Sequence, residues 1–329
     1  AFRCRFSEDV YEPGSIMKPF VVAYALDNGY VAPDTLIDCE RKPWLYERRL
    51  LHDSHPVGIA PVSEVIKQSS NIGTAKIALM LGNRALDKAL RSFGFGSRTG
   101  IQLRPETAGI FRRVERWDNL SVTRFCIGQG IGVSSLQMVR AYCMLANGGW
   151  PVNLRLVDRI ERDGVETPVP YVRGACVFQN EKTAHDLTEM LIGVTEPGGT
   201  SKSAAIPGYY VAGKTGTAQK VINGVYTNRH IASFVGYVPA RNPRFVLLIS
   251  CDEPQGKSYF GGAVCGPVFS AIASRTLRYL RVEPDVDVET WLAERKEIQR
   301  KVAERKKRER EQELAARAAR PAGGSRFAA

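Results

Sequence analysis

No stretch of this 329-residue sequence comes near the about 18 consecutive apolar residues that a membrane-spanning helix needs. The opening residues, Ala1-Phe2-Arg3-Cys4-Arg5, lack the apolar core of a secretory signal. Either the chain is cytosolic, then, or a targeting segment lies upstream. Seven cysteines occur without a single CxxC pair, which removes zinc-ribbon and thioredoxin-type readings. Their odd, unpatterned number leans towards a reducing compartment. Basic clusters are also missing over most of the chain. The formal net charge is +12, but Trp291–Arg320 holds 11 Lys/Arg against 6 Glu and accounts for +5 of it. The rest is mildly basic, so no folded surface reads as a nucleic-acid site.

What is present is globular. Hydrophobic residues make up 44% and charged residues 24%, enough for one large domain or two modest ones. No internal repeat is visible. A boundary falls at Pro284, dividing the chain into residues 1–283 and a charged tail, residues 284–329. Within the tail, Glu289–Ala319 has no Gly or Pro and reads as a solvated helix, ending in the flexible Pro321-Ala-Gly-Gly-Ser. Its apolar residues (Trp291, Leu292, Ile298, Val302, Leu314) are too sparse for a heptad seam.

Helical periodicity predicts helices over Ser63–Met80, Ser135–Ala146 and Lys182–Val194. Three β-rich runs cluster late: Tyr209–Ala212, His230–Val238 and Arg244–Ser250. Asn223-Gly224 and Arg241-Asn242-Pro243 between them suit antiparallel hairpins. Helices followed by an antiparallel meander predict an α+β fold. Cys126, Cys143 and Cys251, in apolar surroundings, are expected to be buried thiols.

Three short motifs carry the chemistry. In Pro13-Gly14-Ser15-Ile16-Met17-Lys18-Pro19, Ser15 sits where a helix can begin, and Pro19 is tolerable in its first turn. Positions i and i+3 share a helix face, so Lys18 can reach the Ser15 hydroxyl. That hydroxyl is a weak nucleophile until a base takes its proton. A lysine serves only if burial and nearby positive charge lower its pKa. In Ser69-Ser70-Asn71, Ser69 could relay a proton and the Asn71 amide could hold a carbonyl; the same residues also suit a helix cap or turn. Lys214-Thr215-Gly216-Thr217 reads as a strand whose small residues admit a substrate backbone. Lys214, Thr215 and Thr217 are poised there for a carboxylate. Each motif alone is weak: an N-cap serine with a surface lysine, a turn, a glycine-rich edge strand. Their order and the 54 residues from Ser15 to Ser69 give them weight together.

This set, in this order, is the pattern of penicillin-binding proteins and class A β-lactamases. The chain resembles the transpeptidase domain of class B penicillin-binding proteins, most closely the division (septal) subclass, from about Tyr11 to Leu280. The resemblance includes Leu51-His52-Asp53-Ser54, Phe93-Gly94-Phe95-Gly96, Ile127-Gly128-Gln129-Gly130-Ile131, Gly199-Thr200-Ser201, Asp252-Glu253-Pro254 and Gly261-Gly262. It implies the penicillin-binding protein/serine β-lactamase-like fold, an antiparallel sheet with helices on both faces. It also implies an acyl-enzyme on Ser15 formed from the D-Ala-D-Ala end of a peptidoglycan stem peptide, then attack by a neighbouring stem's amine. By this analogy Lys18 is the base, Ser69 the proton relay and Asn71 a positioning group. Lys214, Thr215 and Thr217 bind the substrate carboxylate, Gly216 lets the substrate backbone approach, and the N–H groups of Ser15 and Thr217 form the oxyanion hole. β-Lactams are expected to acylate Ser15. No metal or organic cofactor is implied, and His52, His55, His185 and His230 have no catalytic role.

Implied partners are stem peptides, a glycosyltransferase and other division proteins, at the outer face of the bacterial cytoplasmic membrane. Membrane association would come through a segment absent from this sequence. Family members carry two apolar strands before the nucleophile motif, and the 14 residues before Ser15 do not read as two strands. The expectation is a transpeptidase domain over 1–283, N-terminally incomplete, whose run Phe245–Ser250 forms an exposed apolar edge. Two alternatives stay open: a serine β-lactamase, for which Glu106 or Glu115 would be the acidic deacylation residue, and an inactive truncated remnant.

Overall fold

The computed structural model describes residues 3–171 and 174–318, with side chains through residue 311. The expected flexible end at Pro321 lies outside the described residues. The chain opens with α1 (Arg5–Glu8) and a 3-10 turn (Gly14–Met17) that runs directly into α2 (Lys18–Asp27). Four short strands follow: β1 (Leu36–Asp38), β2 (Trp44–Tyr46), β3 (Arg49–Leu51) and β4 (Ile59–Pro61). Next come α3 (Val62–Lys67), α4 (Asn71–Ser92), α5 (Ser121–Phe125), α6 (Ser135–Ala146), a small hairpin of β5 (Arg159–Arg162) and β6 (Val165–Pro168), and α7 (Lys182–Gly193). The main sheet is β7 (Ala212–Ile222), β8 (Val225–Val238) and β9 (Phe245–Asp252). Helices α8 (Gly261–Val264), α9 (Gly266–Tyr279) and α10 (Val288–Ala318) complete the described residues.

The sheet is antiparallel in the order β7-β8-β9, with Lys214 opposite Val235 and Phe234 opposite Ile249. Asn223 and Gly224 both take positive φ (52° and 80°), the backbone of the tight turn that suits twisted strands. Side chains alternate across the pleat, so each face feeds a different core. Val235, Tyr237 and Ala212 join the larger core, with α2, α4, α6 and α7. Phe234, Val238 and Ala232 join the smaller one, with Phe269, Ala273 and Leu277 of α9. The α+β fold with helices on both sheet faces is thus in place.

Four local expectations are revised. The helix expected over Ser63–Met80 is two helices, α3 and α4, because Ser69 turns left-handed (φ 60°) between them. The second is itself broken at Gly82 (φ 73°). The run Tyr209–Ala212 is strand only at its last residue, because the Tyr209 N–H closes a turn on the Ile206 carbonyl and the Tyr210 N–H bonds Asp285. Among the described residues β9 is the outer strand of the sheet, yet Phe245 to Ile249 are half-buried, since alternate side chains dip into the two cores. Cys126 is buried as expected, but Cys143 and Cys251 are only half-buried, while Cys39 and Cys265 are buried.

Helix α10 does form over the charged tail, and it is not wholly solvated. Trp291 is buried at its first turns, and Arg305 reaches Glu64 of α3 at 2.8 Å. Among the described residues no helix is long and apolar enough to cross a membrane.

Candidate active site

The nucleophile candidate sits on the 3-10 turn that leads α2. Gly14 takes positive φ (60°), and its N–H donates to the Gly128 carbonyl at 3.2 Å. A Cβ on Gly128 would fall 2.2 Å from the Gly14 oxygen, so a backbone-to-backbone approach that only glycine allows pins this turn. Pro19 lies at the start of α2, where its missing N–H costs no helical bond. The aromatic ring of Phe20 packs against Phe93, Phe95 and Tyr142, and the Tyr142 hydroxyl donates to the Ile16 carbonyl at 3.0 Å. Ser15 is therefore half-exposed on a turn whose neighbours on either side are buried.

The second motif occupies the break between α3 and α4. Ser70 is the N-cap of α4: its oxygen accepts from the Gly73 N–H at 2.9 Å, while its proton goes to Asp53. Asp53 also accepts from the N–H groups of Asn71 and Ile72. The carboxylate thus serves three donors at a helix N-terminus, where negative charge is favourable. The Asn71 side chain donates to the His52 carbonyl at 2.7 Å, leaving its oxygen directed at Lys18. Ser69, forced left-handed, is held by its N–H on the Ile66 carbonyl.

The third motif is on β7, whose outer edge pairs with no strand among the described residues. The β pleat puts Lys214 and Gly216 on the face towards the nucleophile turn, with Gly216 against Pro13 and Ile16. Thr215 and Thr217 take the opposite face. The Thr215 hydroxyl meets that of Thr200 at 3.1 Å, and Thr217 Oγ1 accepts from the Gly261 N–H at 3.0 Å.

The three segments meet at one hydroxyl. Ser69 Oγ lies 2.7 Å from Lys214 Nζ and 3.2 Å from Lys18 Nζ, and Lys18 Nζ is 2.7 Å from Asn71 Oδ1. Lys18 also donates to the Ser69 carbonyl. Its donors therefore face Ser69 and Asn71, and no hydrogen bond to the Ser15 hydroxyl is present among the described residues, although the two residues share the first turn. Hydrogen bonds of this kind commonly tighten only when substrate is bound.

Both lysines are fully buried. Burial lowers the Lys18 amine to about 8, against a smaller opposing pull from Asp53, Cys126 and Cys39. Burial and the neighbouring Lys18 charge hold Lys214 well below its ordinary value. Two ammonium groups sharing one hydroxyl repel each other in a low dielectric, so the pair favours a state with one amine neutral. A neutral Lys18 presents a lone pair that can accept a proton.

Asp53 and Thr200 were not singled out as functional from the sequence. Asp53 lies in the quoted Leu51–Ser54 stretch, but nothing local signals that it reaches Ser70. Glu106 is buried and committed to the Thr99–Gly100 turn, accepting from both N–H groups and the Thr99 hydroxyl. Glu115 sits in the exposed 3-10 turn Val114–Arg116. Among the described residues no group of His, Cys, Asp and Glu could hold a metal ion.

Comparison with known proteins identifies the family. The model of the penicillin-binding protein transpeptidase domain matches residues 1–274. The chain belongs to this family. It is 34% identical over 288 residues to the probable peptidoglycan D,D-transpeptidase PenA of Neisseria flavescens, covering 86% of this chain and 68% of that protein. It is 36% identical to the peptidoglycan D,D-transpeptidase FtsI of Escherichia coli (strain K12), covering 87% of this chain and 47% of that one. The chain thus spans from about half to about two thirds of the length of these relatives. Among solved structures, the transpeptidase domain of Burkholderia pseudomallei penicillin-binding protein 3 superposes with a TM-score of 0.79 at 38% identity, covering 86% of this chain and 84% of that one.

Proposed function

We propose that this penicillin-binding transpeptidase domain cross-links peptidoglycan stem peptides through an acyl-enzyme on Ser15 and is acylated there by β-lactams. The observation that carries the reading is the Ser69 hydroxyl held between the buried amines of Lys18 and Lys214. A stem peptide ending in D-Ala-D-Ala lies along the free edge of β7 as an added strand, its carboxylate near Lys214, Thr215 and Thr217. Ser15 Oγ attacks the penultimate carbonyl carbon while neutral Lys18 takes the hydroxyl proton. The N–H groups of Ser15 and Thr217 receive the developing oxyanion. As the tetrahedral centre collapses the C–N bond breaks, and Ser69 passes its proton to the leaving D-Ala amine, drawing a replacement from the lysine pair. An amine of a second stem then attacks the ester carbonyl and passes its proton through Ser69 to Lys18; the acyl C–O bond breaks, and Lys18 returns that proton to Ser15 Oγ.

The commitment of Glu106 to a structural turn supports a transpeptidase over a hydrolase. The relatives' names place their activity in peptidoglycan synthesis, and we extend this to action at the cell envelope alongside a glycosyltransferase and division proteins. The test is covalent labelling by a fluorescent penicillin, with mass mapping of the adduct. Ser15 is expected to carry it, and Ser15→Ala to abolish it. A label elsewhere, or none, overturns the proposal, and rapid turnover of a chromogenic cephalosporin reassigns the chain as a hydrolase.

A further inference from the structure

The left-handed Ser69 is flanked by a side chain that no motif includes. Gln68 directly precedes it, and its amide nitrogen spans two acceptors, Glu64 Oε1 at 2.7 Å and the Gly198 carbonyl at 2.9 Å. Helix α10 grips both of those acceptors. Arg305 donates to the same Glu64 Oε1 at 2.8 Å, and Val302 covers Gly198 so closely that a Cβ there would lie 3.0 Å from its methyl. Gly198 takes positive φ (82°), so the close packing and the backbone conformation select the same residue.

The grip continues along the 194–201 loop. Arg295 of α10 donates to the Thr195 carbonyl at 3.1 Å, and the Gly199 N–H bonds the Glu196 carbonyl at 2.9 Å. Thr200, next in line, meets Thr215 on β7. One helix therefore braces the segments bearing both Ser69 and Lys214, at a point 241 residues along the chain from Glu64. An exposed Arg–Glu pair contributes little on its own. Glu64, however, is mostly buried (side chain 14% exposed), and Arg305 completes a chain of hydrogen bonds that ends beside a strained residue.

We infer that Glu64 and Gln68 are positioning residues for Ser69, and that α10 holds them in place through Arg305 and Val302, so that seating of this helix sets the efficiency of the acylation step. The inference rests on the reading of Ser69 as proton relay, yet it has a readout of its own. The test uses the full chain with Arg305→Glu and with the conservative Arg305→Lys, both of which leave Glu64 as the acceptor for Gln68. Arg305→Glu is expected to slow penicillin acylation of Ser15 by about fivefold to tenfold with initial, non-covalent binding unchanged. It is also expected to speed amide hydrogen exchange at 66–70 and 196–200, and Arg305→Lys keeps both near the parent values. Failure of the parent chain to acylate removes the functional reading, while the exchange data still decide this one. Exchange that rises in α10 alone, or acylation that Arg305→Glu leaves unchanged, overturns the inference.

Discussion

Helices α2 and α10 hold their places by opposite means. In α2, eight of ten residues are buried, and the single amine among them, Lys18, has no exposed surface. In α10, 31 residues long, charge dominates, and among the described residues its grip on the body rests on a few side chains, including Trp291, Glu294, Arg295, Val302 and Arg305. The first is secured by area, the second by a handful of specific contacts. The difference teaches that a cation's chemistry follows from where it is put. One lysine taken out of water has its amine lowered to about 8, whereas those on α10 stay exposed at the surface. Replaceability follows the same division. Packing of α2 cannot change without moving Ser15, but α10 can loosen with the cores intact.

The sharpest break of this comparison is Lys18→Met, which keeps the volume and removes the base. Acylation of Ser15 by penicillin is expected to fall by about a thousandfold, within the range for a lost general base. The folded protein is retained, and stopped-flow acylation with thermal melting separates the two effects. Loss of folding together with activity would mean that Lys18 is structural first.

The pH profile follows in size. Below about 8 the Lys18 amine is protonated and cannot accept the Ser15 proton. Acylation is expected to rise about tenfold per pH unit up to that midpoint and then level off. Stability moves the same way at higher pH. Between about 8 and the ordinary 10.5, the unfolded chain binds a proton at this site that the folded chain does not. The cost of burying the amine therefore fades as pH rises through that window. A profile flat from pH 6 to 9 would remove Lys18 as the base.

The smallest of the three lies on α10. Trp291 is 8% exposed and closes a cavity of only 20 Å³ against Ile192, Tyr209 and Val211. Trp291→Ala is expected to cost about 3 kcal/mol of local docking, read as faster hydrogen exchange over 288–305, with exchange in α2 unchanged. Equal loosening of both helices would erase the contrast.

Much of this was legible in sequence. The three motifs announced the residues that converge, because each pairs a reactive group with backbone-permissive neighbours. Helix α6 could be bounded from Ser134 and Gln137, which form the reciprocal cap seen at its start. The hairpin at Asn223-Gly224 was a turn with its own mechanism. Less legible was the break at Gln68–Ser70. Val65, Ile66, Ile72 and Ala75 keep an apolar stripe across it, and the carboxylate that fixes Ser70 sits 17 residues upstream. The seating of α10 was hidden for a related reason. Trp291 and Val302 are too sparse to form a pattern, and the partner of Arg305 is remote in the chain. Periodicity reports repeated burial, not a single long-range contact.

The glycine at 128 has a further consequence. With its missing side chain's place already taken by the Gly14 oxygen, the cradle beneath the nucleophile has no spare room. Gly261 is equally confined, its absent Cβ falling 2.2 Å from the Ser233 oxygen. A side chain at either position would have to displace backbone, so sequence change that keeps this fold is expected away from these two glycines.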